Sequence, residues 1–195
     1  MVIFEKIEKN MELLIAEKWT YQDMVENLPP ESRYEIINNE LYEMPAPNTE
    51  HQRISRKVEF QLLSFVEKNQ LGEVFDAPFD VVFDEDNTTQ PDILFISNEN
   101  LKNLNDKNFR GSPDLIVEIV SPSSVYRDQV AKGNLYAQHG VLEYWIIDPA
   151  NQVVEILVLE NGQYFLKDYL AENGTVKSQI LQGFELKGEN IFTKK

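Results

Sequence analysis

Apolar residues along this chain follow two rhythms, and the changes between them mark out its elements. The stretch TYQDMVENL has helical spacing, with Thr20 as N-cap, Asp23 three residues on, and Pro29-Pro30 closing it. The run YEIINNELYEM then alternates with period two about Asn38-Asn39, a pair that tolerates positive φ, and predicts a hairpin. After the Pro45/Pro47 loop, a long helix capped by Thr49 is expected to run to about Asn69. Its apolar positions Ile54, Val58, Leu62, Phe65 and Val66 fall on one face.

Three strand signals come next. Val74 to Phe83 alternates and ends at the turn DEDNTTQ, Pro91 to Ile96 is short and mostly apolar, and Pro113 to Val120 is an apolar run after Asp114 that is interrupted by Glu118. The segment from Val125 to His139 regains helical spacing and stops at Gly140. The strand EYWIID follows, and VVEILVLENGQYFLKDYL predicts a hairpin about Asn161-Gly162, with further short strands to Ile191. A helix between two buried strands suggests a parallel crossover. Together these elements predict an α/β (α+β) domain with a mixed central sheet flanked by helices, an N-terminal hairpin and C-terminal antiparallel strands.

Composition narrows the picture. At 195 residues, 42% of them hydrophobic, the chain suits one domain over residues 20–195 with a substantial core. No apolar run approaches the ~20 residues needed to span a bilayer. In the opening MVIFEKIEKNMELLIAEKW, charges interrupt the apolar residues, so residues 1–19 read as a short amphipathic helix or arm and not a secretory signal. The cytoplasm is the expected location. There is no cysteine, and His51 and His139 are the only histidines, so thiolate and histidine-rich metal centres are set aside. A metal would sit on carboxylates and carbonyls, chemistry suited to Mg2+ or Mn2+. The net charge of −15, from 18 basic and 33 acidic residues, opposes non-specific nucleic-acid binding unless a local basic stripe provides for it.

Charged residues inside apolar strands are the anomaly that carries chemistry, because an unpartnered buried carboxylate is costly. Asp92 heads PDILFI, and Glu118 lies within PDLIVEIV, sharing a strand face with Asp114, Ile116 and Val120. An adjacent strand bearing Asp92 would bring two mutually repelling carboxylates together, a natural site for a divalent cation.

RYEIINNELYEM, His51 at the start of the long helix, QPDILFI, PDLIVEIVSPSS and RDQVAKGNLYAQHGVLEYWIIDP occur here in the order and spacing of a known family. In these pieces, over roughly residues 20 to 190, the chain resembles the Uma-type putative restriction endonuclease family, a branch of the PD-(D/E)xK nuclease superfamily. The resemblance implies a restriction-endonuclease-like fold and a metal-dependent phosphodiesterase site acting on DNA. Asp92 matches the motif's aspartate and Glu118 its second acid, with the Ile119 carbonyl as backbone ligand. The motif's lysine would fall two residues after Glu118, where this chain has Val120. The family's substitute, a lysine on the following helix, corresponds to Lys132. Glu35, in YEII, matches a further acidic position. Pairing of copies, as in superfamily members that cut both strands, makes a homodimer an expectation, with the segment before Thr20 as one candidate interface.

Plainer readings stand beside these. Asp92 is also a common turn residue after proline, Glu118 could be half of a salt bridge to Lys132, and Asp128 with Lys132 makes an ordinary i,i+4 pair. Glu35 is either hairpin surface or third acid. Tyr136, one turn beyond Lys132, reads as packing, with a phosphate contact as its alternative; His51 reads as a capping or packing residue, and Ser121, Ser123 and Ser124 as a helix-entry turn without nucleophile context. Two functions compete with the nuclease: an inactive nuclease-fold module for binding or assembly, and a phosphoesterase acting on another nucleotide substrate.

Overall fold

In a computed structural model, residues 18–29, 33–120, 127–171 and 173–192 are described. The first helix, α1 (Tyr21–Asn27), starts with the expected capping box: the Thr20 side chain accepts from the Asp23 N–H, and the Asp23 carboxylate accepts from the Thr20 N–H. Strands β1 (Tyr34–Ile37) and β2 (Glu40–Glu43) form the predicted hairpin, with Asn38 and Asn39 at φ 53° and 66°. Both central residues thus take the left-handed conformation that a two-residue turn needs to match strand twist.

The long helix, α2, spans Thr49–Asn69, but its N-cap is Asn48, not Thr49: the Asn48 side chain accepts from the His51 N–H at 2.9 Å. Helix α2 buries Ile54, Val58, Leu62 and Val66 completely. Each such aliphatic contributes about 1.5–3 kcal/mol relative to exposure, so packing holds this helix more than propensity does.

The chain departs from expectation at Val74–Phe83, which is two strands and not one. Strand β3 (Gly72–Asp76) belongs to a six-stranded sheet and β4 (Asp80–Asp84) to a five-stranded one, with a cis Ala77-Pro78 bond between them. Strands β5 (Asn87–Thr89), β6 (Ile93–Ser97), β7 (Asn108–Arg110) and β8 (Leu115–Ile119) follow. A π-helical stretch, Arg127–Lys132, then runs into α3 (Gly133–His139), which ends at Gly140 with φ 83°. Strands β9 (Glu143–Asp148), β10 (Val153–Glu160) and β11 (Gln163–Ala171) come next, the last two turning at Asn161-Gly162. The pair β12 (Thr175–Lys177) and β13 (Glu185–Lys187) leads into a single turn, α4 (Gly188–Ile191). The predicted N-terminal arm before Lys18, the serine turn at 121–124 and the Asp128 side chain lie outside the described residues.

The six-stranded sheet has the order β11-β10-β9-β8-β6-β3 and is antiparallel except at β8/β9, the expected parallel crossover. The five-stranded sheet has the order β2-β1-β5-β4-β7. One face of the larger sheet packs on α2 and the C-terminal segment, through Phe95, Leu115, Val117, Trp145 and Ile147. Its other face, with Leu94, Ile116 and Tyr144, meets Ile37, Val81 and Phe109 of the smaller sheet and Leu135 and Tyr136 of α3. Trp19, Tyr21 and Met24 cover the far side of the smaller sheet through Ile36 and Val82. The mixed sheet flanked by helices is therefore present, but a second sheet covers the face where one layer of helices would suffice.

Candidate active site

Alternation along the strands decides which charges meet. On β8, Glu118 shares parity with Ile116, so it points into the layer between the sheets. On β1, Glu35 shares parity with Ile37 and enters the same layer from the opposite sheet. Lys132, where the π-helical stretch gives way to α3, reaches between them: its Nζ lies 2.7 Å from Glu35 Oε1 and 2.9 Å from Glu118 Oε1. Glu35 and Lys132 have no exposed surface and Glu118 has 3%. Glu35 is therefore not hairpin surface. A wide π-turn is a common device for re-aiming a side chain at a functional site, and here it ends on the lysine.

Tyr136, one turn beyond Lys132, donates its hydroxyl to Glu118 Oε1 at 2.7 Å and lies 3.2 Å from the Thr89 hydroxyl. Burial, reinforced by the charges of Glu118 and Glu35, pushes this phenol well above its ordinary value, so it stays a proton donor. The Gln90 N–H donates to Glu35 Oε1 at 2.9 Å, while Glu35 Oε2 is buried without a hydrogen-bond partner among the described residues.

Asp92 sits just before β6. The β6/β8 register pairs Ile93 with Val117, and one further step brings Asp92 level with Glu118. Asp92 Oδ2 accepts the Ile119 N–H at 2.8 Å and lies 3.1 Å from His51 Nε2. The visible tie to Ile119 thus runs through its amide. With Asp92 and His51 side chains 13% and 16% exposed, this is the rim of the site, opening into a cleft of about 490 Å³ beside α2. Val120, in the strand position of the motif lysine, is buried and apolar.

The structure therefore brings Glu35, Glu118 and Lys132 into one buried cluster and sets Asp92 at its mouth. Two partners, Tyr136 and His51, are visible in the sequence from the i+4 spacing to Lys132 and the first turn of α2, but read there as packing or capping residues; a third is missed. Gln90 gave no signal, because its role is carried by its backbone.

These elements and this site define a restriction-endonuclease-like fold. The family model described as "Uma2: Putative restriction endonuclease" matches residues 20–189, and the chain belongs to that family. Among solved structures, the crystal structure of a putative nuclease belonging to DUF820 from Anabaena variabilis is similar. It has a TM-score of 0.74 and 20% identity, over 89% of this chain and 97% of that one. No curated protein matches the chain.

Proposed function

We propose that the protein is a metal-dependent endonuclease hydrolysing phosphodiester bonds of DNA, with Asp92, Glu118, Lys132 and Glu35 as its active residues. The observation that carries this reading is the reach of Lys132 to Glu118 at 2.9 Å, which supplies from a helix the cation missing at Val120.

The donor chemistry fits a hard divalent cation. The acids offer oxygen alone, and among the described residues Glu35 Oε2 is a buried acceptor without a hydrogen-bond partner. Among the described residues no three His, Asp or Glu side chains gather as a metal-holding set. Asp92 and Glu118, level on neighbouring strands, would hold Mg2+ or Mn2+ with the Ile119 carbonyl and water making up the rest of the shell. When bound, the ion supplies a Lewis acid that lowers the pKa of water and offsets charge developing on the phosphate.

The protein's own groups would do the rest. The Ile119 N–H and His51 fix Asp92 Oδ2, so that carboxylate is pre-aimed. Two carboxylates clamp the Lys132 ammonium, which can orient the attacking water or stabilise negative charge on the phosphate oxygens. Tyr136 holds Glu118 in place from behind.

A cleavage assay on plasmid, single-stranded DNA and RNA with Mg2+ or Mn2+ tests the reading, comparing wild type with Asp92→Ala and Lys132→Ala. Metal-dependent cutting lost in both variants is expected. No cleavage, with no metal binding by calorimetry, would sink it. One observation favours the inactive module instead: Lys132 and Glu35 are wholly buried, as a purely structural ion pair would be. Wild-type-like cleavage by Lys132→Ala would assign the lysine to structure alone.

A further inference from the structure

Three of the chain's five arginines, Arg33, Arg53 and Arg56, line the cleft onto which Asp92 opens. In a protein with 33 acidic and 18 basic residues this clustering needs a reason. Arg53 and Arg56 are exposed on α2, on the side away from the buried Ile54 and Val58. Their i, i+3 spacing sets both guanidinium groups over one surface. Glu59 and Asp76 line the same cleft, yet no carboxylate among the described residues comes within ion-pair distance of either arginine. By contrast, Lys167 and Lys177 are paired with Glu160 and Glu185. Arg33 donates from Nε to Gln90 Oε1 at 3.1 Å, and the Gln90 N–H holds Glu35, so the cleft wall is tied to the buried cluster.

An arginine fork suits bidentate contact with phosphate oxygens, and unneutralised guanidinium groups facing a cleft have their charge available for it. We propose that Arg53 and Arg56, with Arg33, bind the sugar-phosphate backbone of duplex DNA and lay one strand across Asp92. Naming DNA as the ligand rests on the nuclease reading. The clustering bears on the objection raised by the acidic composition: these guanidinium groups are gathered at the cleft beside Asp92, although Glu59 and Asp76 share its wall.

The test measures binding apart from cutting. Anisotropy of a short fluorescein-labelled duplex is titrated in EDTA over a series of salt concentrations. Arg53→Ala/Arg56→Ala should lower affinity about tenfold and reduce the salt slope by roughly two units, near 0.9 for each phosphate no longer neutralised. Its melting temperature should match wild type, since both side chains are exposed. An unchanged slope, an equal drop in a Lys167→Ala/Lys177→Ala control, or no duplex binding by wild type would each overturn the proposal. If wild type binds with the expected slope change but never cleaves, the arginine site stands and the catalytic reading falls. If Arg53→Ala/Arg56→Ala cleaves and binds like wild type, the reverse holds.

Discussion

Glu118 and Glu143 are buried glutamates on neighbouring parallel strands, yet they face opposite sides of the same sheet and live differently. Glu118, on β8, meets an ammonium and a phenol in the layer between the sheets. Glu143, on β9, turns toward the α2 side, where among the described residues only neutral groups donate to it. These are the Trp145 Nε1–H, the Ser178 hydroxyl, and the backbone N–H groups of Gln179 and Ile180. Those donors pin the C-terminal segment to the sheet. They do not offset desolvation, and the Glu143 carboxyl is pushed above its ordinary value. A fold that needs only an anchor satisfies a carboxylate with dipoles. Bringing a lysine and a second glutamate into the core is the costlier arrangement, and a buried ion pair is weak evidence for stability. On the proposed function, that contrast separates Glu118 as a working group from Glu143 as an anchor.

The contrast can be broken experimentally. In the cleavage assay, Glu118→Gln should lower kcat/KM by more than about a hundredfold, while Glu143→Gln should leave it near wild type; equal losses would erase the distinction. Lys132→Met should cost about 3–5 kcal/mol in urea unfolding, because it strands two buried carboxylates. Adding Glu35→Gln and Glu118→Gln to that variant should recover part of the loss. Glu143→Ala should cost about 1–3 kcal/mol by stranding its buried donors, with the cleavage rate unchanged at temperatures where the variant is folded.

A pH series sharpens the same point. The raised Glu143 carboxyl means the native state binds a proton more readily than the unfolded chain does. This group therefore favours folding as pH falls from its raised value toward the ordinary carboxylate range, and the advantage is lost as pH rises through that raised value. Wild type should accordingly gain stability relative to Glu143→Gln on acidification through that window, as read from paired denaturation curves. A constant difference would show that burial does not govern this carboxyl. The smallest effect expected is for Tyr136→Phe, about 1 kcal/mol, from removal of one hydrogen bond to Glu118.

Local pattern reached much of this in advance. Hairpins at Asn38-Asn39 and Asn161-Gly162, the buried stripe of α2 and the parallel β8/β9 crossover follow from turn chemistry and periodicity, which act over a few residues. The split at Ala77-Pro78 was not readable in the same way. Alternation continues through Val74–Phe83, and period two says which face a residue takes, never which sheet its strand joins. For the same reason only the family pattern links Glu35 to Glu118, and alternation alone leaves Glu35 as either hairpin surface or third acid. Lys132 needed the family pattern, since a lysine on a helix is ordinarily solvated. The Asp92–His51 contact spans 41 positions, beyond the reach of any local pattern.

The deep half of the site is shared between two sheets: Glu35 comes from one, Glu118 from the other, and Thr89 to Asp92 is one of the connections between them. Neither sheet alone holds the pair, so the charge cluster doubles as a proof of assembly. A chain in which only the six-stranded sheet has formed can set Asp92 level with Glu118, but it lacks Glu35. On the proposed function, the full set of acids around Lys132 is therefore complete only once both sheets have docked.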